Sequence, residues 1–219
     1  KSNPEERERN AALSNIHESA QTGQTEKYLD AVKSFEEKYL LTQLEMNHIA
    51  VSKSFHYFAA KPSSDVIPLA WWTKPFPGNF GDWLSPLVVN HFTDKKIFFQ
   101  SPVKLATKEH LIGLGSIGRF IKPNSIVIGT GISTDELTLA KQAKYVSVRG
   151  PVTARVVRES GGPNVESFGD PGVLISRIFP VARSNNSRVA LVRHFTHKAI
   201  PLTLSPNMDE LDVLISHPD

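Results

Sequence analysis

The apolar positions along this chain change their period once, near residue 60. Residues 5–58 read as helical. The tract "TEKYLDAVKSFEEKYLLTQLEMNHIAVSKSF" holds no Gly or Pro, and Leu29, Val32, Phe35, Tyr39 and Leu40 recur in it at spacings of three and four. Leu44, Ile49 and Val51 continue the pattern less regularly, and Thr25 ahead of Glu26 and Lys27 marks a helix start. This predicts a helical hairpin, or a helix packed on the rest of the domain. The alternative is an arm that joins copies of the chain into a homo-oligomer.

"AAKPSSD" closes the helical region. From Val66 the texture becomes short apolar runs separated by Gly, Pro and Asn. "VIPLAWW", "KIFFQ", "SIVIGTGI", "KYVSVRG" and "RVALVRHF" read as buried strands. "DWLSPLVVNHF", "TDELTLAKQA", "PVTARVVRES" and "PGVLISRIF" read as the helices between them. Alternation of this kind predicts an α/β fold, a Rossmann-like parallel sheet with helices on both faces, preceded by an α-helical N-terminal region. The expected organisation is a helical region over 1–62, a Rossmann-like lobe over 63–186, and the start of a second lobe over 187–219. That last stretch, ending in the helix-like "MDELDVLISHPD", is too short to complete an α/β half, so the chain reads as part of a longer protein.

The composition, 40% hydrophobic and 21% charged, is that of a globular protein. No apolar run approaches the roughly 18 residues of a membrane span, and the charged N-terminus has no secretory pattern. A cytoplasmic location is expected, with peripheral attachment to a membrane as a variant of it. The absence of Cys removes disulfides and thiolate chemistry, and no metal site is expected. The net charge of +3 is unevenly spread: residues 137–208 carry ten Lys/Arg against three Asp/Glu. This basic stretch predicts an anionic ligand, and no nucleic-acid module accompanies it.

In a parallel α/β sheet ligands bind where strands end and helices begin. Four corners fit. "WWTKPFPGNFGDWLSP" holds all three Trp residues and puts Asn79, Gly81 and Asp82 at a helix start. There Asp82 either caps the helix or, with Asn79 and the first amides, faces an anion. "VSVRGPVT" places Arg149 at a strand end before a helix opened by Pro151; it pairs bidentately with a carboxylate or phosphate, or else with a neighbour such as Asp170. "ESFGDPGVL" offers Asp170 as a helix cap, and "LVRHFTHK" brings Arg193, His194 and His197 to a fourth strand end. "GLGSIG", with Ser116, matches G-x-G-x-x-G in letters. A dinucleotide site also needs a strand before it and a helix within it, whereas "TKEHLI" is a poor strand and Pro123 follows closely.

Taken in order, "NFGDWLSP", "GLGSIG", "VIGTGI", "VSVRGPVT" and "FGDPGVL" resemble the polysaccharide pyruvyltransferase family over residues 68–195. The resemblance implies a two-lobed fold similar to GT-B glycosyltransferases. It also implies transfer of the pyruvyl unit of phosphoenolpyruvate, a donor substrate and not a cofactor, onto two hydroxyls of a sugar or glycan acceptor as a ketal. It makes Arg149 the foremost donor-binding residue and sets Asn79, Gly81, Asp82, Ser116, Asp170 and Arg193 around the cleft. Family members carry a catalytic His further along the chain; His194 and His197 are weak candidates for that role here. A nucleotide-sugar glycosyltransferase of similar fold, and a non-catalytic glycan-binding or assembly member, are the alternatives.

Overall fold

The computed structural model describes residues 3–74, 78–180, 182 and 187–215. Three helices open the chain. Helix α1 (Pro4–Gln21) begins with Pro4 in its first turn and the Asn3 side chain accepting from the Glu6 N–H at 3.0 Å. Helix α2 spans Thr25–Lys38 and α3 spans Gln43–Ala59. The long Gly- and Pro-free tract is therefore broken at residues 39–42. Thr42 and Glu45 form a reciprocal capping box at the start of α3. Arg9 of α1 lies over the Tyr39 ring, donates to the Leu40 carbonyl, and forks onto both oxygens of Glu45 at 2.9 and 2.7 Å. Of the apolar positions expected inside, Phe35 is buried and Val32 and Tyr39 pack against the core, whereas Leu29 and Leu40 are exposed; Tyr28 is buried as well.

A five-stranded parallel sheet follows, built from β1 (Val66–Ala70), β3 (Lys96–Gln100), β4 (His110–Ile112), β5 (Ser125–Ile128) and β6 (Lys144–Ser147), in spatial order β3-β1-β4-β5-β6. Two-residue β2 (Gly78–Asn79) leads into helix α4 (Phe80–His91), the crossover to β3. Helix α5 (Pro151–Glu159) follows β6, and a Val148–Phe168 bridge adds one more parallel rung. The strand order reverses between β1 and β4. Ala70 is level with Ile112, and Ile112 with Val127, so the loops beyond them leave from one rim.

Strand β1 and the two residues after it divide the interior. Leu69 and Trp71 point to one side, where Ile16, Tyr28, Phe35, Phe55 and Phe58 of α1–α3 meet Trp83 of α4 and Ile97 of β3. Ala70 points to the other, with Ile112, Val127, Val156 and Val157, and Trp72 packs against that cluster. The N-terminal helices thus cover one face of the sheet. Among the described residues, no helix is long and apolar enough to cross a membrane.

Several predicted elements differ. "TDELTLAKQA" is not a helix; it is an irregular crossover whose Leu139 and Ala143 are buried. Its polar groups are satisfied from outside, the Leu139 N–H by Ser160 Oγ at 2.9 Å and the Ala140 carbonyl by the Tyr145 hydroxyl at 2.9 Å. "PGVLISRIF" forms a 3₁₀ turn, Pro171–Leu174, and then a single α-helical turn, α6 (Ile175–Ile178). The helix-like end of the chain contains strands instead. β8 (Met208–Leu211) lies parallel to β7 (Val189–Val192), and β9 (Leu214–Ile215) pairs antiparallel with β2.

Glu45 holds two hydrogen bonds from Arg9 and two from Thr42, and the Arg9 bonds above all hold its carboxyl down to about 2. That contribution is present above pH 4.5 and fades as pH falls toward 2. Arg9→Ala leaves this carboxylate with Thr42 alone and should lower the urea midpoint at pH 7. An unchanged midpoint would mean that the α1–α3 clamp is idle.

Candidate functional site

A cavity of about 950 Å³ opens at the carboxyl rim of the sheet, where the strand order reverses. Of the residues singled out in the sequence, Asn79, Gly81, Asp82, Ser116, Arg149, Asp170 and His194 line it. Arg193 and His197 do not. The Arg193 guanidinium is held by both oxygens of Glu210, at 2.7 and 2.9 Å, and by the His197 and Ile200 carbonyls. It ties the segment after β7 to β8 and does not line the cavity.

The expected basic character of the site also changes. Arg188, Arg193 and Lys198 are paired with Asp209, Glu210 and Asp212, acids that fold back from β8 and the turn after it. Arg155 pairs with Asp135. Arg183 lies outside the described residues. Part of the basic stretch is therefore neutralised by acids close to it in space, and the cations that line the cavity are Arg149 and Arg119.

Arg149 leaves the sheet one residue beyond Val148, where its N–H donates to the Thr130 carbonyl at 3.1 Å. Its side chain bridges two loops: Nη1 donates to Ser116 Oγ at 2.9 Å, and Nε lies 3.1 Å from Asp170 Oδ2. Asp170 is also the expected cap, its Oδ1 accepting from the Gly172 N–H at 2.9 Å. Both partners of this ion pair are more than a third exposed, so water competes for them and a ligand can reach the guanidinium.

Asp82 is not a cap. It sits in the first turn of α4, and its Oδ2 accepts from Asn79 Nδ2 at 2.9 Å. The Phe80 N–H, one of the helix-start amides expected to face a ligand, is taken by the Val213 carbonyl at 2.7 Å. Burial pushes the Asp82 carboxyl up, opposed by the Asn79 hydrogen bond and by the charge of Arg149. A carboxyl biased toward its protonated form beside an accessible Arg can give a proton and hold an anion in one space.

The "GLGSIG" loop shapes the same wall. β4 does precede it, contrary to the reading of "TKEHLI", but a 3₁₀ turn (Gly118–Phe120) stands where a dinucleotide fold needs an α-helix. A dinucleotide site also needs an acid about twenty residues on for the ribose, and Asp135, at that distance, is engaged with Arg155. Gly115 has φ +92°, and a side-chain carbon there would lie 2.8 Å from Asp82 Oδ1. Its carbonyl is pinned by the Thr130 hydroxyl at 2.9 Å and the Gly131 N–H at 3.0 Å.

The opposite wall is aromatic. Trp72 stacks on Phe120 with centroids 5.3 Å apart and planes at 10°, and the Arg119 guanidinium lies 4.8 Å from the Phe120 centroid. Of the three Trp residues, Trp71 and Trp83 belong to the core and only Trp72 lines the cavity. Pro75 and Pro77, expected to set the turn, lie outside the described residues. Arg119 and Phe120 were not singled out in the sequence; a basic–aromatic pair directly after a Gly-rich loop was the available signal.

The fold and site define an α/β protein with a Rossmann-like parallel sheet and a polar cavity at its switch point. No protein family, curated protein or solved structure matches the chain.

Two substitutions probe the site. Gly115→Ala should cost about 2 kcal/mol by calorimetry, through its positive φ and the approach to Asp82; a neutral effect would mean that the loop relaxes freely. Because burial penalises the Asp82 charge, Asp82→Asn should raise the denaturation midpoint at pH 7. The gain should shrink as acid protonates the wild-type carboxyl. A lowered midpoint would make the ionised form structural.

Proposed function

We propose that this chain forms the donor-binding part of a pyruvyltransferase with a GT-B-like fold, moving the pyruvyl unit of phosphoenolpyruvate onto two hydroxyls of a sugar. The observation that carries the reading is Arg149, held by Ser116 and Asp170 at a strand end with donors exposed, in one cavity with the buried carboxyl of Asp82. Phosphoenolpyruvate carries a carboxylate and a phosphate on an enol carbon. Arg149 and Arg119 supply two cations for those two anions, and Trp72 with Phe120 supplies an apolar wall for the methylene end.

The chemistry is addition followed by elimination. Asp82 or His194 gives a proton to the methylene carbon, and positive charge develops at C2. A sugar hydroxyl attacks C2 and loses its proton. The C–O bond to phosphate then breaks, the cations stabilise the leaving group, and the second hydroxyl closes the ketal. The donor is a cytoplasmic metabolite in this reading, which puts the protein in that compartment.

The test is phosphate release from phosphoenolpyruvate with galactose- and mannose-type acceptors, with nucleotide sugars as the control donor. Acceptor-dependent phosphate release supports the reading. Release of nucleoside diphosphate from a nucleotide sugar would instead identify a glycosyltransferase, and binding of glycan with no turnover a non-catalytic protein. Arg149→Ala should weaken phosphoenolpyruvate binding by about 1.5–3 kcal/mol in calorimetry, the worth of a charge-assisted hydrogen bond. Unchanged affinity would make Arg149 a structural brace.

A further inference from the structure

A second cavity, of about 790 Å³, lies on the other side of Trp72, between α1 and the carboxyl ends of β1 and β3. One stripe of α1 lines it. Asn10, Ser14, His17 and Gln21 fall at helical spacing on that face, while Ile16 and Ala20 point into the core. Gln100 and Ser101 close it from the end of β3, and Trp72 and Phe99 give it apolar surface. Uncharged amides and hydroxyls beside aromatic rings are groups that pair with hydroxyls and with the C–H faces of a sugar ring.

His17 decides between a hydroxyl ligand and an anion. Ser52 donates its hydroxyl proton to the His48 carbonyl at 2.9 Å, so at 2.9 Å from His17 Nδ1 its oxygen acts as acceptor. This network assigns the His17 proton to Nδ1 and a lone pair to Nε2, which has no hydrogen-bond partner among the described residues. Burial, reinforced by the charges of His48 on α3 and Lys104 in the loop after β3, pushes the imidazole down to about 4 and keeps it neutral at pH 7. A lone pair repels phosphate or carboxylate and attracts an O–H. The charged groups around the cavity, Glu18, Lys74 and Lys104, have exposed side chains screened by water.

We infer that this second cavity is a saccharide-binding site in which His17 Nε2 accepts a hydrogen bond from a sugar hydroxyl. Its use as the acceptor site rests on the pyruvyltransferase reading; the binding itself does not. Trp72 lines both cavities, so a sugar seated in the second lies next to the donor space in the first.

The experiment is a ligand-observed NMR and calorimetric titration of the whole chain with methyl β-galactoside and methyl α-mannoside, with inorganic phosphate as the anionic probe. One or both sugars should bind in the millimolar range. His17→Phe keeps the ring packed near Phe55 but removes the acceptor, and should weaken binding about fivefold. Ser101→Trp fills the cavity from its rim without touching the core and should abolish binding, leaving phosphoenolpyruvate affinity unchanged. The inference is overturned if neither sugar binds, if both variants bind sugar like wild type, or if Ser101→Trp blocks phosphate instead. Loss of the Arg149 effect on phosphoenolpyruvate, with sugar binding intact, would sink the proposed reaction alone.

Discussion

The alternation of four residues at the end of β1 and just beyond it organises the molecule. Leu69 and Trp71 face the N-terminal helices, whereas Ala70 and Trp72 face the packing of α5. A strand buried on both faces has no tolerance for a register slip, because one residue of shift would exchange Trp71 for Ala70 in the larger core. That constraint also sets the site. Trp71 ends in the interior with no exposed surface, and Trp72, one step later, emerges at the rim as the partition between two cavities.

The rest of the site depends on loops that grip one another rather than on regular elements. Arg149 spans from Ser116 to Asp170, and the Gly115 carbonyl is tied to Thr130 and Gly131. The Val213 carbonyl reaches back to the first amide of α4. Each bond joins segments far apart in sequence, so disturbing one loop is felt at the others. Asp82 sits where these loops meet, and its desolvation is a cost typical of sites arranged for a task.

The parallel sheet was legible because its strands are apolar runs bounded by Gly and Pro, and four of its five strands were predicted. The fifth, β4, was missed. "HLI" is short and begins with His110, which becomes acceptable inside the sheet only because Ser125 lies 2.9 Å from its ring nitrogen. The break at residues 39–42 carried a local signal, Thr42 three residues before Glu45, but what completes it is Arg9, more than thirty positions away. The crossover at 134–143 read as a helix because nothing local opposes one there. Its bonds to Ser160 and Tyr145 and the burial of Leu139 outweigh that propensity.

Local pattern thus determined where the chain turns from helix to α/β, four of the five strands of the sheet, and that Asn79, Asp82, Arg149 and Asp170 stand at corners after strands. Spacing and turn chemistry act within a few residues, so one sequence is enough to read them. Only the tertiary structure decided which corners share a cavity, because that follows from strand order and rim level. It alone removed Arg193 and paired Arg188 and Lys198 as well, since Glu210, Asp209 and Asp212 reach their partners by folding back through space. The second cavity belongs to the same category: a helix face that no local pattern singled out becomes one wall of a cavity once α1 packs across the end of β3.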